Sequence, residues 1–171
     1  GSGTGGGSAV ATAETCADAV SLTSGMTVSG TTTDAGNDFR FPDQNGCQGS
    51  SGISSATAGD HVYTIQVPAF HRVDATLVTT WDSTLNIISG IAQCGSLVSD
   101  GGVATTTACV AGRDDPNNSG VSWSNRTNAA ADVFLLIDGY SSGSGAYTVG
   151  ATVVPMPAGD VCEIASPVTA G

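Results

Sequence analysis

The sequence predicts an all-β domain, an antiparallel β-sandwich or jelly roll of about eight strands stabilised by disulfides. Three observations lead to this prediction. Apolar and polar residues alternate with a period of two in short runs, as in 62–67 and 147–153, which is the pattern of half-buried strands. Clusters of Gly, Pro, Asn and Asp separate these runs. No segment shows a convincing helical period.

The predicted strands follow one another at short spacing along the chain. The apolar run 133–137 is typical of a strand that is buried on both faces. Turn-forming pairs such as Gly59-Asp60, Asp138-Gly139 and Ser144-Gly145 interrupt the pattern. The predicted strands lie at 26–31, 62–67, 73–77, 85–88, 121–123, 133–137 and 147–153.

The length of 171 residues suits one domain with flanking segments. Residues 1–13 are Gly/Ser-rich, which indicates a linker or an extended N-terminal arm. Residues 14–154 form the predicted sandwich. Residues 155–171 begin with two closely spaced prolines, and we interpret them as a linker followed by the onset of a second repeat or an inter-subunit strand.

The charge balance excludes some partners. The chain has a net charge of −11, no lysine and four arginines: Arg40, Arg72, Arg113 and Arg126. Nucleic-acid binding requires clustered cations, so we expect no nucleic-acid partner. No apolar run approaches the roughly 20 residues of a transmembrane helix, so we also expect no membrane insertion. Thr-rich strands, absent lysine and paired cysteines together predict an extracellular or cell-surface location.

A partial internal repeat links the two ends of the domain. Residues 160–171 match residues 14–25 at four of twelve positions, and the matched Cys162 follows Cys16 by 146 residues. We interpret Asp160 as the start of a second copy of the domain. This explains the odd count of five cysteines, because Cys162 then belongs to the next unit. We predict that Cys162, Ile164 and Val168 form inter-unit contacts, either in the following repeat or on the sheet of another molecule.

The order of several motifs resembles the bacterial pre-peptidase C-terminal (PPC) domain family over roughly residues 16–153. That resemblance implies a jelly-roll β-sandwich that serves as an accessory, non-catalytic domain on secreted proteins, often in tandem. The loops 43–58 and 112–120 are longer than is usual in this family. The matching pieces are Cys16 with 29–32, the runs 59–65 and 81–87, the pair Cys94/Cys109, and the runs 133–140 and 145–149.

We predict two disulfides in the domain. Cys94–Cys109 would close a loop between neighbouring strands, and Cys16–Cys47 would be the second bridge. No C-x-x-C pair occurs, and neither histidine is close to a cysteine in sequence. Zinc binding is therefore not expected.

The residues that could support catalysis or metal binding are few. His61 is expected on the outer face of its strand and His71 in a turn, and no G-x-S-x-G nucleophile motif occurs. We therefore expect no enzymatic activity. Calcium is the one candidate cofactor, because Asp114, Asp115 and Asn117 supply oxygen atoms at close spacing in one loop.

Two tryptophans raise the alternative of polysaccharide binding, since exposed aromatic rings stack on sugars. Trp123 alternates with Val121, which favours the core, while Trp81 precedes a strand. The leading hypothesis is a structural or interaction module whose partners are further copies of itself or adjacent repeats, in a surface fibre or tandem array. The alternatives are an accessory domain of a secreted peptidase and a module that binds carbohydrate or calcium.

Overall fold

A computed structural model describes residues 14–37, 39, 58–91, 94, 109–114, 120–139 and 142–161. These residues contain one 3-10 turn, Cys16–Asp18, and nine strands. The strands are β1 (Val20–Ser21), β2 (Met26–Thr31), β3 (His61–Val67), β4 (His71–Thr79), β5 (Ser83–Ser89), β6 (Cys109–Asp114), β7 (Val121–Asn125), β8 (Ala131–Gly139) and β9 (Ala146–Pro155).

The nine strands form two sheets that pack face to face, which confirms the predicted all-β sandwich. The five-stranded sheet has the order β1-β3-β8-β5-β6, and the four-stranded sheet has the order β2-β9-β4-β7. Every pairing is antiparallel except the short one between β1 and β3, which is parallel. Neighbours in the sheets are mostly distant in sequence, as in other sandwiches with crossover connections.

The main core lies between the two sheets, because one face of every long strand is apolar. Alternate residues of β4 are fully buried at Val73, Ala75 and Leu77. They face a similar alternation from the five-stranded sheet, in which Tyr63 and Ile65 belong to the same cluster. Burial of this apolar area is the main stabilising contribution to such a fold.

A second apolar cluster covers the outer face of the five-stranded sheet. It explains why β8 is buried on both faces, as the apolar run 133–137 predicted. Phe134 and Leu136 point away from the main core and pack with Val62, Ile88 and Phe39. The chain outside the strands covers this face, since Phe39 and the 3-10 turn both contribute to it.

The cysteine pairing differs from the prediction. Cys16 forms a disulfide with Cys94, across 78 residues of sequence, so the predicted Cys94–Cys109 and Cys16–Cys47 bridges are both wrong. Cys109 is also disulfide-bonded, to a cysteine outside the described residues. The three described cysteines all lie in the second cluster, where Cys16 and Cys94 approach because both belong to the covering layer. Spacing along the chain does not reveal that layer.

Two local predictions also need correction. Asp138 and Gly139 do not form a turn, because β8 continues to Gly139 and pairs there with Ser83. The last strand is longer than predicted and ends at Pro155. Proline is tolerated at this terminal position of the strand.

The strand directions place the two ends of the domain far apart. β1 runs parallel to β3, so Glu14 and the 3-10 turn lie at the end where β3 begins. β9 runs the length of the four-stranded sheet, and the following Met156 donates its backbone N–H to Phe70 O at 2.9 Å, in the β3–β4 connection. The chain therefore enters the sandwich at one end and leaves it at the other.

Candidate functional site

His61 is buried between the sheets, which corrects the prediction of an outward-facing, solvated side chain. Residues two apart in a strand share a face, so His61 lies on the same side as Tyr63. Its Nδ1 is 2.6 Å from the hydroxyl of Tyr147, and that hydroxyl is 2.6 Å from the hydroxyl of Tyr63. All three residues are at most 3% exposed. The network joins the two sheets and has no direct access to solvent.

Burial determines the ionisation of this network. Desolvation lowers the pKa of His61, and the nearby negative charge of Glu14 only partly offsets this effect. Burial also raises the pKa of the Tyr63 and Tyr147 hydroxyls. A neutral imidazole and two neutral phenols are therefore the stable forms, and these groups act as hydrogen-bond partners that hold β3 against β9.

The second histidine has a different setting. His71 is half-buried and is the first residue of β4, directly after the connection in which the sequence placed it. Its Nδ1 lies 2.8 Å from Ala69 O, so this nitrogen carries the proton and donates it to the carbonyl. The hydrogen bond orders the turn between β3 and β4. His61 and His71 lie at opposite ends of β3 and β4, so they cannot act on one substrate atom.

Of the three predicted calcium ligands, one lies within the described residues. Asp114 is exposed at the end of β6, whereas Asp115 and Asn117 lie outside the described residues. Asp114 lines an open groove of about 520 Å³ with Arg113 and Ser122, between the edge strands β6 and β7. Among the residues that the structure describes, no group of three His, Cys, Asp or Glu side chains could hold a metal ion.

The tryptophans pack against the main core. Trp81 and Trp123 are both half-buried and contact the cluster between the sheets. The Trp81 Nε1–H donates to Ala146 O at 2.9 Å, which ties the β4–β5 connection to the start of β9. These positions agree with core packing, the alternative to a sugar-stacking surface.

The end at which the chain enters the sandwich carries several carboxylates, and we call it the acidic end. Among the described residues, it is formed by 14–19, the residues just after β2 and just before β3, the β4–β5 connection and the start of β9. Asp18 Oδ1 accepts hydrogen bonds from the Thr15 N–H at 2.9 Å and from the Thr15 hydroxyl, and these bonds lower the pKa of Asp18. The exposed or half-buried acids here are Glu14, Asp18, Asp34 and Asp82. Arg113 lies at the same end of the sandwich, on the edge strand β6, where it pairs with Leu85 of β5.

The opposite end carries two of the four arginines, and we call it the arginine end. Arg72 pairs with Asp74 at 2.9 Å, and both groups remain partly exposed. Arg126 follows β7 and donates from Nη1 to Asp160 O at 2.9 Å. A groove of about 140 Å³ lies at this end, lined by Arg72, Ser124, Val154, Pro155, Met156, Pro157 and Asp160.

One buried amide organises the loop that presents Arg126. Asn125 is fully buried, and its Nδ2 is within 3.1 Å of the carbonyl oxygens of Val67, Pro68 and Ala129. Its Oδ1 accepts from the backbone N–H and the hydroxyl of Thr127, at 3.2 and 2.7 Å. The sequence identified Arg72 and Arg126 only as two of the four cations and assigned them no site. Asn125 stood out only as the first residue of the glycosylation sequon Asn125-Arg126-Thr127, and its buried role was not predicted.

The residues of the first unit that recur in 160–171 have structural roles there. The four residues that recur identically in 160–171 are Cys16, Ala19, Thr23 and Gly25. Cys16 forms the disulfide to Cys94, and Ala19 packs against the second cluster. Thr23 O accepts from Met26 N at 2.9 Å to make the turn before β2. Gly25 has φ of +85°, a backbone conformation that favours glycine.

The aliphatic match at Val168 also falls on a position with a defined role. Its counterpart Leu22 is only 5% exposed and belongs to the main core. The counterpart of Ile164 is Asp18, which is exposed, so this pair does not match in character. Cys162, Ile164 and Val168 themselves lie outside the described residues, and their predicted inter-unit contacts stay predictions.

No family model, curated protein or solved structure matched the chain. Within the described residues, no helix is long and apolar enough to span a membrane.

Proposed function

We propose that this domain is a non-catalytic, extracellular structural unit of a tandem array, with a fold of the PPC type. The observation that carries the proposal is the repeat. Residues 160–171 repeat residues 14–25, which we call the anchoring segment, at positions with structural roles: the disulfide, the second cluster, the turn and the glycine. Identities that arise by chance would be expected to fall on any positions of the segment, and not on those with structural roles.

The path of the chain supports a linear arrangement. The first unit begins at the acidic end, and residue 160, where the second copy begins, lies at the arginine end. A following unit would therefore extend the row along the strand direction instead of folding back beside the first. β9 alone has ten residues, so each unit would add roughly 33 Å at the usual rise per residue.

The structure of the anchoring segment favours a following unit in the same chain over strand addition between molecules. A segment from another molecule would have to displace β1 from its position beside β3 in the five-stranded sheet. Leu22 is buried there, and the Cys16–Cys94 disulfide fixes the segment covalently. Exchange would expose the Leu22 side chain and leave a disulfide-bonded segment undocked, which costs apolar burial without a compensating contact.

Other observations support the extracellular and non-catalytic parts of the proposal. A disulfide that closes a long stretch of chain is typical of proteins from oxidising compartments. The buried, hydrogen-bonded position of His61 supports a structural role for that residue. The acidic, lysine-free composition keeps a Ser/Thr-rich surface soluble at high local density.

The proposal is tested with an extended chain, in which the full chain continues after Gly171 with a copy of residues 26–171. If 160–171 is a true first segment, this chain has two folded units and is a monomer by light scattering. The matched control joins residue 159 directly to a copy of 26–171, so that the second unit lacks its first segment. We expect the control to leave its second unit unfolded or aggregated. Equal folding of both chains would refute the assignment of residues 160–171.

A second comparison separates the tandem arrangement from a polymer of separate molecules. The full chain and a variant ending at Pro157 are compared by analytical ultracentrifugation under non-reducing conditions, with Cys162→Ser present in the full chain to prevent a chance intermolecular disulfide. The tandem proposal expects both to be monomers. Filaments formed by the full chain alone would favour docking between molecules.

A further inference from the structure

We propose that the arginine end is the docking surface for the acidic end of the following unit, so that consecutive units meet at a fixed, charge-dependent junction. This inference rests on the proposed tandem arrangement and adds the surface that each unit uses. It starts from the segment after β9, which the sequence predicted to be a linker and which the structure attaches to the domain.

The chain leaves the sandwich from a fixed point. Met156 is 7% exposed, and its N–H donates to Phe70 O at 2.9 Å. A turn follows, in which Asp160 N–H donates to Pro157 O at 3.2 Å. Only the stretch 157–159 lies between the anchored Met156 and the first residue of the following unit. A connection this short and this ordered restricts the orientation of whatever follows it.

Arg126 already contacts the first residue of the following unit. Asp160 is the counterpart of Glu14, and its carbonyl oxygen accepts the Arg126 hydrogen bond at 2.9 Å. The negative charge of Asp160 also acts on Arg72. Both arginines therefore face the point at which the next acidic end begins. Among the described residues, Arg72 forms an ion pair with Asp74, and Arg126 forms no ion pair with a carboxylate.

Charge complementarity identifies the occupant. Glu14, Asp18 and Asp34 at the acidic end form no ion pair with a described cation. The repeated segment 160–171 keeps this character, with carboxylates at Asp160 and Glu163 and no Lys or Arg. Among the described residues, the carboxylates at the arginine end are Asp74, Asp132 and Asp160. Arg72 and Arg126 offset the first two, and Asp160 belongs to the following unit in this proposal, so the described part of the first unit is close to neutral there. A neutral surface that presents arginines accepts a strongly acidic one, whereas two acidic ends would repel each other.

The groove at the arginine end provides room for this contact. It holds about 140 Å³ and is lined by both polar groups, such as Ser124, and apolar ones, such as Val154 and Met156. A surface of this mixed character resembles the interfaces between domains of one chain, which are more polar than obligate interfaces.

The test uses the extended chain described above and measures the rotational tumbling of each unit by NMR relaxation. A fixed junction makes both units tumble as one body, with a correlation time nearly double that of the single chain. The double variant Arg72→Gln/Arg126→Gln in the first unit should release the second unit and shorten the correlation time. Each single variant, Arg72→Gln or Arg126→Gln, is compared with Arg113→Gln, which removes one arginine away from the arginine end and should leave the tumbling unchanged.

The outcomes separate this inference from the proposed function. Two folded units that tumble independently in the unaltered extended chain, or tumbling that the Arg72/Arg126 variant does not change, would overturn the junction while leaving the tandem array intact. A second unit that does not fold would overturn both. In the single full chain, Arg126→Gln should also accelerate hydrogen exchange at the Asp160 amide; unchanged exchange would contradict the attachment of the connecting segment.

Discussion

Buried polar side chains carry much of the specificity of this sandwich at the scale of single residues. Asn125 and Tyr147 each form hydrogen bonds with several partners on other parts of the chain. Leaving a buried polar group without its partner costs about 1–3 kcal/mol, which is more than the net gain from forming an average hydrogen bond. Substitutions at these positions therefore have large and specific effects.

Asn125→Ala should lower the free energy of unfolding by about 2 kcal/mol, because the Val67 carbonyl group loses the Asn125 amide donor in a buried site and the N–H and hydroxyl of Thr127 lose their acceptor. Denaturant unfolding followed by circular dichroism measures this change. Asn128→Ala, the same substitution at an exposed position three residues further on, is the matched control and should change stability by less than about 0.5 kcal/mol. Equal effects of the two substitutions would contradict the structural role of Asn125.

Tyr147→Phe should be more destabilising than Tyr63→Phe. The first substitution removes the hydroxyl that bonds both His61 and Tyr63, whereas the second leaves the His61–Tyr147 hydrogen bond in place. We expect about 2 kcal/mol for Tyr147→Phe and about half of that for Tyr63→Phe. Both variants keep the aromatic volume, so the comparison isolates the hydroxyl groups. The reverse order of stabilities would show that the network is not centred on Tyr147.

The stability of the domain should depend on His61 as the pH falls. Burial lowers its pKa below the ordinary value of 6.5, so below pH 6.5 the unfolded chain binds a proton that the folded chain does not. The free energy of unfolding therefore falls between about pH 7 and pH 5 through this residue. In His61→Gln this contribution is absent, and the loss over the same range should be smaller. Parallel pH curves for the two proteins would disprove the buried neutral state.

At the scale of strands and connections, local pattern predicted the strands well but not their partners. The runs 62–67, 85–88 and 133–137 form strands because alternation and apolar content specify them directly. β1 and β6 were missed, since Val20–Ser21 is too short to show a period and Cys109–Asp114 contains glycine and charged residues. The outward placement of His61 was an error of interpretation, because its spacing from Tyr63 already indicated a shared face.

The disulfide pairing shows what sequence spacing cannot supply. Cys16 and Cys94 meet because both cover the outer face of the five-stranded sheet, and that face becomes visible only when the strand order is known. The same holds for the arginine end, where Arg72 and Arg126 come together through the pairing of β4 with β7. Long-range pairing of this kind leaves little trace in one sequence.

Removing the Cys16–Cys94 bridge should destabilise the domain strongly. The disulfide spans 78 residues, and the loop-entropy model gives about 4 to 5 kcal/mol for a closed loop of that size. Cys16→Ala alone should have nearly the same effect as Cys16→Ala/Cys94→Ala, because either substitution abolishes the same bridge. A much smaller loss in thermal and denaturant unfolding would mean that the second cluster holds the segment without covalent help.

At the scale of the whole molecule, the sandwich has different ends. The chain enters the sandwich at the acidic end. It leaves at the arginine end, where Asp160 contacts Arg126. The repeat itself was visible in the sequence, but its meaning was not, because only the structure assigns roles to Cys16, Leu22 and Gly25. A second unit begins at Asp160 only if residues 160–171 take the same roles as residues 14–25.

The most direct test of this central claim is the cysteine pairing in the extended chain. Non-reducing peptide mapping by mass spectrometry would identify the partner of Cys162 when a copy of residues 26–171 follows Gly171. We predict a disulfide between Cys162 and the added copy's Cys94, alongside the Cys16–Cys94 disulfide of the first unit. A free Cys162 thiol, or a bridge from Cys162 to a cysteine of the first unit, would contradict the claim that a second unit begins at Asp160.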